Sequence, residues 1–268
     1  MKSGTTDGIS VEVGDSVLRI SIDRPGRKNA LDIAGVSRII EVLEMAAVDD
    51  TLRVILLRGE GEDFCSGADW VATNNKDAPK PRVGSLQRRT PLQAHRLIEL
   101  LLEVQLPVVC AVRGWAAGLG CQIALAADFT IATEASHFWE PFVHRGFSPD
   151  SGATWLLPRL VGTARAKDLL LLGRELSGRE AADWGVIHRA VSDPDLDHTV
   201  AELVETLAHS ASVALGLTKR CINRAQESSL KSALEAEASA LELSSRTADF
   251  REGLAAFSEG RDPNFEGR

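Results

Sequence analysis

The residues with the clearest chemical potential lie in three short stretches. "SPDSG" (148 to 152) holds one carboxylate, Asp150, ahead of an apolar run through Ala153, Trp155, Leu156 and Leu157. "FCSGADW" (64 to 70) follows the apolar stretch "VILLRG", and "AAGLGCQ" (116 to 122) opens a helix of small residues. Both are turns of small residues. A helix N-terminus leaves backbone N–H groups unpaired and carries positive partial charge. Small residues let a ligand approach such backbone closely. An acid can move a proton, and unpaired backbone donors can hold developing negative charge. Each feature alone also has a structural reading. Neither turn has the G-x-G-x-x-G or phosphate-loop order. Pro149-Asp150-Ser151-Gly152 before an apolar run also has the form of a helix N-cap.

The elements that must position these residues follow from pattern. Residues 9 to 13 and 16 to 22 alternate apolar and polar as a hairpin would, with Gly14 and Asp15 as its turn. "DRPGRKNAL" reads as a loop. Asp32 then caps a helix whose apolar stripe is Ile33, Val36, Ile39, Ile40 and Leu43. "VILLRG" (54 to 59) is a continuous apolar strand, expected to be buried on both faces. Residues 72 to 90 read as a mobile polar surface loop. An amphipathic helix Leu92 to Val104, a strand "VVCAV" after Pro107, a tightly packed helix Cys121 to Ala127 and a strand "FTIAT" come next. After residue 150 the chain reads as mostly helical, with almost no breakers from 195 to 260. The expected class is α/β, with a core over 1 to 195 and a helical region over 196 to 268. The spacing suggests stacked, spiral units but does not separate them from a doubly wound sheet.

Composition bounds the function. The chain has 268 residues, 44% of them hydrophobic and 25% charged, as in ordinary soluble domains. Its net charge of -8 argues against a general nucleic-acid surface. No apolar run nears the roughly 20 residues of a membrane span, and the N-terminus lacks a signal-peptide stretch. A cytoplasmic location is the simplest expectation. Cys65, Cys110, Cys121 and Cys221 form no C-x-x-C pair and have no histidine at zinc spacing. They are expected to be free thiols packed as small apolar groups.

Six motifs in order, "DRPGRKNAL", "FCSGADW", "AVRGWAAGLGCQIALAADF", "SPDSGATWLLPRLVG", "ADWGVIHRAV" and "REGLAAFSEGRDPNF", span nearly the whole chain. By these the chain resembles the crotonase family, the enoyl-CoA hydratases and isomerases. The likeness is greatest to the ring-isomerising and double-bond-shifting branch, which includes the epoxyacyl-CoA isomerases of phenylacetate breakdown. The resemblance implies a crotonase-like spiral of ββα units with a C-terminal helical trimerisation region, in a homotrimer or dimer of trimers. It implies an acyl-CoA thioester as substrate, with no cofactor or metal; the charge and hydropathy above give no expectation of a nucleic acid or membrane partner. It also implies an oxyanion hole from the N–H groups of Ala68 and Leu119. Leu119 stands where the family commonly has glycine; the N–H survives, and the side chain must point away from the oxygen.

The acids depart from the hydratase pattern. The two glutamates that hold a water in hydratases map to Gln122 and Phe142. Neither can exchange a proton as a carboxylate does. Asp150 maps to an aspartate that shuttles protons in dienoyl-CoA and epoxyacyl-CoA isomerases and is the nucleophile of 4-chlorobenzoyl-CoA dehalogenases. The expected catalytic set is therefore Asp150, Ala68 and Leu119, working by double-bond migration or ring isomerisation. A hydratase with a non-standard acid, Glu140 or His144, is one alternative. An acyl-CoA-binding chain without catalysis is another, and a covalent Asp150 intermediate a minor one. On the residues themselves, Glu140 reads first as a solvated rim charge and His144 as a plain polar contact. Asp69 is expected to fix its turn through backbone hydrogen bonds, and Asp128 to be structural. For the coenzyme, the resemblance points to Arg27 or Lys28 for phosphate and Ala30 for the adenine end. Ser66, Ala68, Asp69 and Trp70 would line the adenine and pantetheine channel. Gln122, Trp139 and Phe142 would line the acyl site, and Phe257 and Arg261 would close it from the C-terminal helix.

Overall fold

The computed structural model describes residues 3–69 and 82–268. The N-terminal hairpin forms as its alternation predicts. β2 (Ile9–Gly14) pairs antiparallel with β3 (Val17–Ile22), and β1 (Gly4–Thr6) adds to the outer edge. Its turn sits one residue later than predicted, because Asp15 and Ser16 both take left-handed backbone, at φ 53° and 61°. Primed turns of this kind match the twist of a hairpin. Asp32 caps α1 (Ile33–Ala46) by accepting from the Gly35 N–H at 2.9 Å. The buried stripe of α1 is Val36, Ile39, Val42 and Leu43, whereas Ile33, at the first turn, is 49% exposed.

Strands β4 (Val54–Gly59), β5 (Val108–Val112), β7 (Phe129–Thr133) and β10 (Arg189–Val191) continue the sheet in parallel. Its order is β1-β2-β3-β4-β5-β7-β10. The apolar runs of β4 and β5 are buried because helices cover both faces. A second sheet holds β6 (Trp115–Ala117), β8 (His137–Trp139) and β9 (Glu175–Ser177), in the order β6-β8-β9. The chain alternates between the sheets: β5 to β6 then helix α4 (Leu119–Ala126), β7 to β8, and β9 through α6 (Gly178–Trp184) to β10. This is a spiral of ββα turns, not a doubly wound sheet. The three-residue strands β8, β9 and β10 are too short for a period-2 signal, so pattern alone missed them.

α3 (Ala94–Glu103) packs on α1 and α4 as an amphipathic helix. The polar stretch ahead of it was expected to be a loop. Its described end is helical instead, with α2 (Ser85–Arg89) and a 3-10 turn at Thr90–Leu92, while residues 72 to 81 lie outside the described residues. α5 (Ala153–Leu171) bends at Gly162, where φ is 75°. α7 (Leu196–Ala208) covers the other face of the large sheet. Its Leu196, Val200, Val204 and Leu207 meet Val54, Leu56, Val109 and Ile131. α8 (Ser212–Ala225) is tied to the core by Lys219, whose ammonium donates to Asp128 at 2.7 Å and to the Leu101 and Leu106 carbonyls. α9 (Leu230–Ser244) and α10 (Ala248–Glu259) finish the chain. α9 buries no residue. The four cysteines are free, and all but Cys221 are buried, as expected.

Candidate active site

The two glycine turns meet. Ser66 N–H donates to the Lys28 carbonyl and Asp69 N–H to the Leu31 carbonyl, so the "CSGAD" segment is stitched to the end of the "DRPGRKNAL" loop. The Ala68 N–H takes part in none of these bonds. Gly67 has φ 99°, and a Cβ there would lie 2.7 Å from the Ala117 carbonyl and 3.5 Å from the Leu119 N. Only glycine permits that approach. Gly120 is constrained in the same way, since a Cβ would lie 2.2 Å from the Cys65 carbonyl. α4 therefore seats its first turn directly on the Cys65 backbone. Leu119 is the first residue of α4, so its N–H has no intrahelical partner. It is 4% exposed, its side chain counted in the core.

Ala68 and Leu119 share a narrow cleft of about 30 Å3 with Ser66, Phe142, Arg145 and Asp150. Asp150 is the only carboxylate lining it among the described residues. The choice between cap and free acid is decided by the backbone that follows. The N-cap of α5 is Gly152, at φ 84°, and it has no side-chain cap bond. Ser151 also takes left-handed backbone, at φ 50°. These two residues carry the chain around before the helix starts, so the Asp150 carboxylate does not cap it. Its Oδ1 accepts from the Ser151 hydroxyl at 3.1 Å. Burial raises the Asp150 pKa, while the Ser151 hydroxyl and His95 on α3 oppose the shift. His95 and Ser151 were not singled out from sequence. Their place beside Asp150 depends on α3 packing against α4, which no local pattern encodes.

Phe142 lines the cleft as an apolar wall, set edge-on to Phe147 at 5.4 Å. Gln122 does not line it. The Gln122 side chain is fully buried and its Nε2 donates to both Glu140 oxygens, at 2.9 and 2.7 Å. The rim-charge reading of Glu140 is therefore wrong. Glu140 is 3% exposed, because the short β8 turns it inward against α4. Burial pushes its carboxyl up to about 8. Bonds from Cys121 and Gln122 oppose this, and the nearby Asp150 charge adds to it. Trp139 and His144 also lie away from the cleft. The Trp139 indole donates to the Gly173 carbonyl at 2.9 Å, and His144 Nε2 is 3.3 Å from the same oxygen.

Asp69 corrects a second expectation. Its carboxylate does not merely brace its own turn. It is buried and receives Arg27 at 3.0 Å and Arg24 at 3.4 Å. Arg24 also pairs with Asp32 and donates to the Ala30 carbonyl. Asn29, fully buried, binds the Glu60 and Asp63 carbonyls and the Arg24 N–H. Those contacts hold Lys28 and Ala30 at the surface, with the Lys28 side chain 61% exposed and 3.9 Å from Asp63. Phe257 is 88% exposed, and Arg261 pairs with Glu252 and Glu259. Neither lines the cleft of this chain. Trp70 lies outside the described residues.

This architecture has relatives. Residues 12–268 match the family model described as enoyl-CoA hydratase/isomerase. A 1,2-epoxyphenylacetyl-CoA isomerase of Escherichia coli is 38% identical, over 96% of this chain and 97% of its own length. A probable enoyl-CoA hydratase of Rhodobacter capsulatus is 36% identical, over 97% and 98%. The crystal structure of an enoyl-CoA hydratase from Bacillus anthracis superposes with a TM-score of 0.90 at 30% identity, over 97% of this chain and all of that one.

Proposed function

This chain belongs to the enoyl-CoA hydratase/isomerase family, and on that premise we propose that it is an isomerase that moves a double bond, or rearranges a ring, in an acyl-CoA thioester. The family acts on such thioesters. The observation that carries the finer reading is the cleft itself. Asp150 is its one carboxylate among the described residues, and Ala68 and Leu119, whose N–H groups would hold the developing charge, line the same cleft. Phe142, which the resemblance sets where a hydratase has its second acid, lines this cleft as an apolar wall. One carboxylate suffices for a proton shift. Asp150 removes a proton from the α or γ carbon of the acyl group, and the electrons move to the thioester oxygen. The two N–H groups hold that charge. Asp150 then returns the proton at the other carbon. Such donors typically contribute about 3–4 kcal/mol each.

In this reading Lys28, exposed at the end of the "DRPGRKN" loop, meets the coenzyme phosphates, with Arg27 fixed beside it by Asp69. Ala30 and Ser66 would offer their backbone to the adenine and pantetheine. The exposed Leu230, Leu234, Leu241, Leu254 and Phe257 of α9 and α10 support assembly of copies through this face.

The test is a panel of 2-enoyl- and 3-enoyl-CoA thioesters in deuterated water, read by mass. Deuterium in a rearranged product without added water is expected. Net water addition with no isomer formed would replace the isomerase reading by a hydratase. No exchange with any member of the panel would remove it.

Two further outcomes are expected. Gly67→Ala should lower kcat about 10²–10³-fold, the usual cost of losing one oxyanion donor, because its Cβ cannot fit beside Ala117 without moving Ala68. Steady-state kinetics on a folded variant would check it, and a change under threefold would argue against the Ala68 donor. The acid side of the pH profile follows from Asp150. Only its ionised form is a base, and burial raises its pKa. Thus kcat/KM should fall, as pH drops, through a value above the ordinary aspartate value of about 3.9. A limb at or below that value would mean that another group is the base.

A further inference from the structure

Behind the cleft, Glu140 has no role in the shuttle described above, yet its contacts are with the parts that carry the shuttle. Gln122 sits in the first turn of α4, the helix that presents the Leu119 N–H, and its Nε2 bonds both Glu140 oxygens. One residue earlier in the same segment, the Trp139 carbonyl accepts from the Gly118 N–H, the N-cap of α4. Two adjacent residues of one strand end thus grip both sides of the oxyanion turn. Among the described residues no cation pairs with Glu140. The groups that face it are the Cys121 thiol and Gln122 amide from α4 and the Asp150 carboxylate from the turn before α5. Among the described residues Gln122 Oε1 is buried without a hydrogen-bond partner. Turning the amide over would place that acceptor against a protonated Glu140. Either pairing keeps the carboxyl fastened to α4.

We propose that Glu140 is a positioning residue of the site: as a neutral acid it fastens the oxyanion helix through Gln122, and its ionisation, by setting a second buried negative charge beside Asp150 and the developing oxyanion, turns the site off. The proposal rests on the isomerase reading for its kinetic consequence but not for the titration itself. A carboxyl buried without a cation favours its neutral form, and its value of about 8 puts the change just above neutrality. The sign follows. Below that pH Glu140 is neutral and the helix sees one charge, on Asp150. Above it the added charge opposes enolate formation. Because the two carboxyls feel each other, removing the Asp150 charge must lower the Glu140 midpoint.

Two measurements decide the matter. The first is the infrared band of a protonated carboxyl in the free protein, followed from about pH 6.5 to about pH 9.5. It is expected to vanish with a midpoint near 8, to be missing in Glu140→Gln, and to titrate lower in Asp150→Asn. The second is kcat/KM for 3-hexenoyl-CoA as the probe. The wild type should lose about tenfold per pH unit on the alkaline side, and Glu140→Gln should lose that limb, since its amide still meets Gln122 but cannot ionise. A band that survives Glu140→Gln, or an alkaline limb unchanged by it, overturns the proposal. So does loss of turnover at every pH in a folded Glu140→Gln, because Glu140 would then be transferring the proton itself. If the wild type leaves every enoyl-CoA of the panel unexchanged, the isomerase reading fails, and the infrared arm still decides the titration of Glu140.

Discussion

Asp150→Asn is expected to cut turnover of the acyl-CoA substrate about 10²–10⁴-fold, the range that a positioned acid–base group contributes, with little change in binding of the thioester. The substitution keeps the shape and the hydrogen bond from Ser151 but removes the base. Stability should hardly respond. Gly152, not Asp150, is the N-cap of α5, so no cap is lost. Removing a partly buried carboxylate whose pKa burial has raised also relieves a desolvation cost. Binding is expected to survive because the N–H groups of Ala68 and Leu119 and the Lys28 loop are untouched. The measurement is kcat and KM on the reactive thioester beside a thermal melt. Turnover within threefold of wild type would refute Asp150 as the proton carrier. Lost turnover with a collapsed melt would show instead that the carboxylate braces the turn.

The largest stability effect should come from Lys219→Met, at about 3–5 kcal/mol, the typical cost of breaking a buried ion pair by removing one partner. Lys219 is 8% exposed at its side chain and Asp128 20%. Burial pulls the Lys219 pKa down and pushes the Asp128 pKa up, so each is drawn toward its neutral form despite their 2.7 Å contact. The pair is therefore not a large net gain in itself. Its importance lies in what is stranded without it. Lys219 also satisfies the Leu101 and Leu106 carbonyls, and Asp128 also holds the Val108 N–H at the start of β5. Urea unfolding of Lys219→Met, Asp128→Asn and the double variant would show the coupling. The double variant should lose less than the sum of the singles. A single-variant loss under about 1 kcal/mol would mean that α8 is not anchored there.

The Asp128–Lys219 pair also marks a limit on what local pattern reveals. Asp128 was expected to be structural because it follows a helix of small residues. Its partner lies 91 residues away and carries no mark in the sequence. The same holds for Asp69, whose arginines lie 42 and 45 residues back. In contrast, the hairpin, the Asp32 cap and the strands Val54–Gly59, Val108–Val112 and Phe129–Thr133 were legible. Their signals are short-range: alternation, a capping side chain three residues from its donor, and unbroken apolar runs. The small sheet was not legible. Three-residue strands have no period of their own, and their pairing is set by strands of the large sheet to which the chain returns.

The sequence by itself determined the chemical types at the cleft: one aspartate in a turn, two small-residue turns with N–H groups to offer, and a phenylalanine beside them. Tertiary structure alone decided what those groups face. Left-handed backbone at Ser151 and Gly152 freed Asp150 from the helix it precedes. The contact of Gly67 with Ala117 brought the two turns together. The inward turn of Glu140 buried what reads as a surface charge, and that burial raises its pKa. The physical reason is the same in each case. Residue type sets which protons and charges a group can hold, but burial and neighbouring charge set which of them it does hold, and both come from segments far apart in the chain.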